Sequence, residues 1–356
     1  MPAPPRLWLR HESRTTERRA PLVPEDAARL VRQGVGITVE ESPQRAFPLD
    51  GYVRAGCATA PAGSWAEAPG DHYVLGLKEL PAEPRALRHR HISFGHAYKG
   101  QSGAGELLGR FAAGGGALLD LEYLVDTGGR RLAAFGYWAG YLGAALAVLH
   151  RRGMLETPLR PLDRPGWDAL LRAGAGGDAL VIGALGRSGR GACDALEAAG
   201  ISPVRWDLAQ TRVLDRAALR GHDILVNTVL VTRPVPPFLT HADLDAPGRR
   251  LSVVADVTCD VDSECNVLPV CDAVTDWDRP VRRLRGGDRP VDVIAVDNLP
   301  ALLPVESSRA FSAELWPQLL RLGDGAGAWV RCLRAFAGAA GPRAARAHAE
   351  EAAHVR

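Results

Sequence analysis

A chain of 356 residues, 46% of them apolar, is long enough to bury two separate cores, and nothing in its composition reads as disorder away from the ends. Its 43 basic and 41 acidic residues leave a net charge of +2 and form no basic block, which argues against a nucleic-acid partner. The opening Met1-Pro-Ala-Pro-Pro5 has no apolar core of a secretory signal, so a cytoplasmic location is expected.

Taken in order, Leu7 to Arg10 reads as a short strand. Pro24 to Gly34 carries a proline and two acids in its first turn, apolar residues at helical spacing and a terminal glycine, which together mark a helix. Val35 to Glu40 is the next strand, so an α/β rhythm begins near residue 6. Three further strands are expected over Asp71–Leu77, His91–Gly95 and Gly116–Glu122. Ligands of open α/β sheets gather at the carboxyl ends of strands, so Lys78, Glu79, His96, Tyr98, Lys99 and Glu122 are expected on one rim. Lys78 and Lys99 are the only lysines among the 43 basic residues. In a chain so biased to arginine, a lysine suits a role that needs a proton to leave, which a guanidinium cannot fill.

The uncharged run Leu132 to Leu149 contains three glycines and two tyrosines and reads as a buried, closely packed helix rather than a membrane span. Gly153 to Gly177, with three prolines and Ala173-Gly-Ala-Gly-Gly177, has linker chemistry. It leads into Ala179-Leu-Val-Ile-Gly-Ala-Leu-Gly-Arg-Ser-Gly, an apolar strand ending in Gly183, Gly186 and Gly189. Glycines there permit a tight turn and let backbone N–H groups approach a diphosphate at the start of the next helix, expected over Ala192–Gly200. The following strand, Val204 to Asp207, ends on a carboxylate near the ~20-residue spacing of a ribose-binding acid, so NAD is expected over NADP. Strands are expected at Asp223–Asn227, Leu251–Asp256 and Val291–Asp297, and helices at Ser307–Leu322 and Trp329–Ala340. Cys259, Cys265 and Cys271 stand six residues apart, but the spacing fits no zinc knuckle and no histidine lies among them, so no metal site is expected.

The strings Glu17-Arg-Arg-Ala-Pro-Leu-Val-Pro24, Leu77-Lys-Glu-Leu-Pro81, Phe94-Gly-His-Ala-Tyr-Lys99, Asp120-Leu-Glu through Gly128-Gly-Arg-Arg-Leu-Ala-Ala-Phe-Gly136, Gly183-Ala-Leu-Gly-Arg187 and Val296-Asp-Asn-Leu-Pro-Ala-Leu-Leu-Pro304 resemble those of the lysine-forming, NAD-dependent saccharopine dehydrogenases, related to the alanine dehydrogenase and transhydrogenase superfamily. The likeness runs from about residue 6 to 336. It implies an α/β fold of two Rossmann-like domains with parallel sheets separated by an active-site cleft. Residues 1–133 with 328–356 would form the substrate domain and 134–327 the NAD-binding domain. By resemblance, the catalytic pair is Lys78 and His96 and the substrate contacts are Arg18, Lys78, Arg131 and Phe135; Glu79 and Glu122, as carboxylates that favour protonated neighbours, would tune the charge of the pair. The cofactor contacts are Arg130, Gly183, Gly186, Arg187, Gly189, Asp207, Thr211, Leu230, Val257, Val296, Asp297, Asn298 and Leu299. Fungal members have disulfide-capable cysteines where this chain has Ser188 and Thr228, a tyrosine at Leu230 and a histidine at Asn298.

The chemistry this implies is oxidation of the secondary amine of saccharopine and hydrolysis of the imine to lysine and 2-oxoglutarate, in a monomer or small homo-oligomer with no membrane partner. Hydride leaves only from a carbon beside a neutral amine, so Lys78, its pKa lowered by partial burial, would take the ammonium proton. His96 would activate water, and Arg18 and Arg131 would clamp substrate carboxylates. An alanine dehydrogenase-like or other secondary-amine dehydrogenase, or a non-catalytic NAD-sensing protein, are the alternatives.

Overall fold

In the computed structural model, the structure describes residues 4–98, 101, 103–324 and 327–341. Lys99 and the Arg/Ala-rich end beyond Pro342 lie outside them. In chain order the elements are β1 (Arg6–Leu9), α1 (Pro24–Arg32), β2 (Gly36–Glu40), α2 (Leu49–Arg54), β3 (Ala58–Ala60), β4 (His72–Leu75), β5 (Arg90–Ser93), α3 (Ala104–Gly114) and β6 (Ala117–Asp120). Then come α4 (Gly136–Arg151), α5 (Arg164–Arg172), β7 (Ala179–Ile182), α6 (Arg187–Ala198), β8 (Val204–Trp206), α7 (Leu208–Arg212), α8 (Arg216–Arg220), β9 (Ile224–Asn227), α9 (His241–Leu244), β10 (Val253–Asp256), β11 (Arg282–Arg285) and β12 (Val291–Ile294). The chain closes with α10 (Pro304–Leu319) and α11 (Ala328–Ala340).

The chain divides into two compact units, Met1–Ala134 with Val305–Arg356, and Phe135–Pro304. The second crossing falls at 304/305, earlier than the expected 327/328, because α10 is tied to the first unit by buried hydroxyls. Ser308 Oγ accepts from Ala20 N at 2.9 Å and Ser312 Oγ from Val23 N at 3.0 Å, and Phe311 packs on Phe94. These serines sit on a helix whose apolar pattern alone does not say which sheet it covers.

The first unit is a six-stranded sheet in the order β3-β2-β1-β4-β5-β6, with every neighbouring pair parallel. The strand order reverses between β1 and β4, so the loops leaving their carboxyl ends flank the switch point where such sheets bind ligands. Helix α11 covers the β6 side, with Phe336 and Cys332 fully buried. The second unit has the order β11-β12-β10-β9-β7-β8, parallel except for the β11–β12 edge. Both faces of β7, β9 and β10 are covered, which is why these strands read as unbroken apolar runs rather than alternating ones. The reversal here lies between β7 and β9.

The expected α/β class with parallel sheets is what the structure shows; three local expectations change. The long helix begins at Gly136 rather than Leu132. The stretch expected as a linker holds α5, capped where Asp163 Oδ1 accepts from Gly166 N and carrying proline in its first turn; its Trp167 and Leu171 are buried in the second unit's core. Helix α6 starts at Arg187, five residues before the expected Ala192, for a reason its glycines supply below. Among the described residues no helix is long and apolar enough to cross a membrane.

Candidate active site

Lys78 lies three residues past β4 at the first unit's switch point, and its main chain is gripped by a buried ion pair that the sequence reading missed. Glu12, in the loop after β1, accepts from Leu77 N at 2.6 Å and Lys78 N at 3.1 Å. Arg10 donates to the carbonyl of Lys78 and, at 3.4 Å, to that of Glu79, and pairs with Glu12 at 3.0 Å. Both side chains are almost wholly buried. Gly76 leaves room for this arrangement, since a Cβ there would stand 2.3 Å from Arg10 Nε. Breaking such a buried pair costs on the order of 3–5 kcal/mol, so the Lys78 backbone is held rigidly. The signal was present as the charged residues directly after β1.

Glu79 turns outward to Arg14, with Nε and Nη2 at 2.9 and 3.1 Å from its oxygens. Partial burial pushes its carboxyl up, but the Arg14 guanidinium outweighs this and holds it below the usual range. Arg18 is exposed, whereas Arg19 is buried and doubly bonded to Glu17 at 2.8 and 2.6 Å.

His96, three residues past β5, has φ of +48°, a left-handed conformation that is strained for a residue with a side chain. Its Nδ1 is 3.3 Å from Glu122 Oε1. The imidazole is 53% exposed and Glu122 only 16%, so a half-open imidazole is backed by a largely sheltered carboxylate. Asp120, the last residue of β6, is buried beneath them and accepts from Gly95 N and Glu122 N. Because β4, β5 and β6 are parallel neighbours, Lys78, His96 and Glu122 share one rim, as expected. Arg130 and Arg131 follow in a loop where Arg130 N donates to Asp126 Oδ1 and Arg131 bridges Val125. Arg130 is exposed and Arg131 half-buried.

In the second unit, three glycines shape the β7–α6 turn. Gly183 has φ of +82°, and a Cβ there would fall 2.8 Å from Thr228 Oγ1 and Val229 Cγ2. Gly186 caps α6, and a Cβ on Gly189 would meet Gly183 O at 2.0 Å. The twelve-residue helix therefore abuts the turn with Arg187 as its first residue. Asp207 directly follows β8 and caps α7; its Oδ2 accepts from Leu185 N at 3.0 Å, which sets a carboxylate against the glycine turn. Thr211 donates to Asp207 O at 3.2 Å, and Leu230 is exposed past β9. Val257 follows β10, and Val296, Asp297, Asn298 and Leu299 follow β12, with Asn298 at φ of +68°. Phe135 directly precedes α4. Thr228, at the position where the resemblance gives a cysteine, instead donates to Ile182 O at 2.8 Å and ties β9 to the turn. The described cysteines are all free thiols, and burial pushes Cys57 up to about 11 and Cys332 up to about 12.

Family models match both parts of the chain: alanine dehydrogenase/PNT, N-terminal domain, over residues 8–142, and alanine dehydrogenase/PNT, C-terminal domain, over 190–335. A solved structure of L-alanine dehydrogenase superposes with a TM-score of 0.67 at 17% identity, covering 97% of this chain and 99% of that one, which supports the fold. The saccharopine dehydrogenase [NAD(+), L-lysine-forming] of Emericella nidulans is 40% identical, covering 90% of this chain and 92% of its own. That of Schizosaccharomyces pombe is 41% identical, covering 93% and 97%. With such identity along nearly the whole of both chains, this protein belongs to the family of saccharopine dehydrogenases (NAD+, L-lysine-forming).

Proposed function

We propose that the chain oxidises the secondary amine of saccharopine with NAD and releases L-lysine and 2-oxoglutarate, with Lys78 and His96 dividing the proton transfers. The observation that carries this reading is the rim of the first unit, where a lysine on a clamped backbone and a histidine backed by a glutamate stand at neighbouring strand ends. NAD, when bound, supplies the hydride acceptor. Gly183, Gly186, Arg187 and Gly189 would hold its diphosphate and Asp207 its adenosine ribose, with Arg130, Thr211, Leu230, Val257 and the stretch Val296–Leu299 lining the remainder.

Lys78 takes the proton of the substrate ammonium, leaving the neutral amine from which hydride can depart. His96 then removes a proton from the water that attacks the imine carbon, and Glu122 beside Nδ1 favours the imidazolium so formed. Saccharopine carries three carboxylates, and Arg131 with the exposed Arg18 would receive them, while Arg19, buried with its guanidinium spent on Glu17, holds the loop that carries Arg18. Arg18→Ala should therefore raise the KM for saccharopine more than it lowers kcat; an unchanged KM removes Arg18 from the role.

The test of the whole reading is the initial rate of reduced-nucleotide formation with saccharopine or alanine, each with NAD or NADP. Saccharopine with NAD should give the highest kcat/KM, because Asp207 lies where a 2′-phosphate would be repelled. Asp207→Ala should narrow the preference over NADP. A faster reaction with alanine would move the protein to the alternative substrate class, and equal or better kcat/KM with NADP would remove the role given to Asp207.

A further inference from the structure

We infer that Asp120 is a positioning residue that aligns His96 with Glu122. The inference rests on the reading of His96 as the base that activates water. The β5–β6 ladder ends at the pair Ser93 and Asp120, and beyond it the two chains part, one towards His96 and the other towards Glu122. The Asp120 side chain carries the connection one step further. Its Oδ2 accepts from Gly95 N at 3.2 Å, directly before His96, and its Oδ1 accepts from Glu122 N at 2.9 Å. One buried carboxylate thus joins the backbone of the base to the backbone of the base's partner.

The surroundings leave this carboxylate little freedom. A Cβ on Gly95 would lie 2.2 Å from Leu118 Cδ2 and 3.2 Å from Asp120 Oδ2, so the glycine admits the close approach on which the bond depends. The ionisable groups that face Asp120 are His96 and Tyr98 from the β5 side, Glu122 and Tyr123 from the turn after β6, and Cys332 from α11. Burial, with the Glu122 carboxylate adding to it, pushes the Asp120 carboxyl up to about 6, against the opposing N–H groups and His96. Only the ionised form offers both oxygens as acceptors, so the link between the segments weakens as Asp120 takes up a proton. His96, held at φ of +48°, depends on such external restraint to keep its ring beside Glu122.

The experiment compares Asp120→Asn, Asp120→Glu and His96→Gln in the full chain with saccharopine and NAD, reading first-turnover NADH formation and steady-state turnover from pH 5.5 to 9 (a range chosen to span about 6, the value reached by Asp120). Asn keeps the shape but presents a donor to one of the two N–H groups, and Glu keeps the charge but displaces the oxygens. Both variants should keep the first turnover and lose about 10²-fold in steady-state turnover per active enzyme, the loss expected from a misplacement of ~1 Å. The wild-type acid limb should be steeper than that of Asp120→Asn by one proton, because Asp120 adds one more group that must be unprotonated. Normalising to the first-turnover amplitude counts only folded enzyme. Unchanged normalised turnover and an unchanged acid limb in both Asp120 variants, with His96→Gln impaired, overturn the inference and leave the base assignment standing. An unimpaired His96→Gln overturns both.

Discussion

Replacing Lys78 by methionine should lower saccharopine turnover by roughly the 10²–10⁴ that a lost general base costs, while leaving the fold intact. The position makes the substitution clean. What holds this segment is its main chain, through Glu12 at Leu77 N and Lys78 N and Arg10 at the Lys78 carbonyl, and none of those bonds involves the side chain being changed. A small added amine should restore part of the rate. Lys78→Arg should not, since a guanidinium cannot give up its proton at working pH. His96→Gln should differ in kind: hydride transfer in a single turnover stays close to wild type while steady-state turnover falls, because the lost step comes later. Full activity in Lys78→Arg, or losses in both variants that simply follow the melting temperature, would remove the division of labour between the two residues.

The parts of this site legible in the sequence were those that one residue announces on its own. Lys78 stood out because lysine is nearly absent elsewhere, and His96 and Glu122 because each closely follows an apolar run that could only be a strand. Their supports were not legible, because each is defined by a partner far away in the chain. Glu12 reaches Leu77 and Lys78 across 65 and 66 positions, Asp120 reaches Gly95 across 25, and Arg19 differs from Arg18 only in which side of the loop it faces. The same holds for the fold. The strands of the second unit were visible as apolar runs, whereas the return of α10 to the first unit depends on Ser308 and Ser312 meeting Ala20 N and Val23 N, contacts with no local signature.

The start of α6 shows the same principle in its strongest form, and it yields a second large effect: Gly191→Ala should lower the melting temperature by about 2–8 °C and weaken NADH binding with it. Glycines at 183, 186 and 189 read as a turn, which set the expected start of the helix five residues late. Gly189 is needed where the helix closes on Gly183 O, and Gly191 because α6 there lies against α4 backbone to backbone. A Cβ on Gly191 would stand 1.9 Å from Tyr137 O, and one on Gly140, across the same crossing, 1.8 Å from Ser188 O. Neither obstacle is the end of a flexible side chain, so the helices must separate. Overpacking of this kind costs ~1–3 kcal/mol or more, against a gain of up to ~1 kcal/mol in helix propensity. In a unit of this size each kcal/mol moves the midpoint by roughly 2–4 °C. Binding should suffer too, because α6 presents its first N–H groups beside the glycine turn, and a shift of the helix carries them out of register with Gly183 and Asp207. Gly105→Ala in α3 is the control: nothing lies within 4 Å of a Cβ there, so the same change should be neutral or mildly stabilising. Thermal melts and NADH fluorescence titrations of the two variants decide the matter. A Gly191→Ala protein as stable and as tight for NADH as Gly105→Ala would mean that α4 and α6 do not cross in backbone contact.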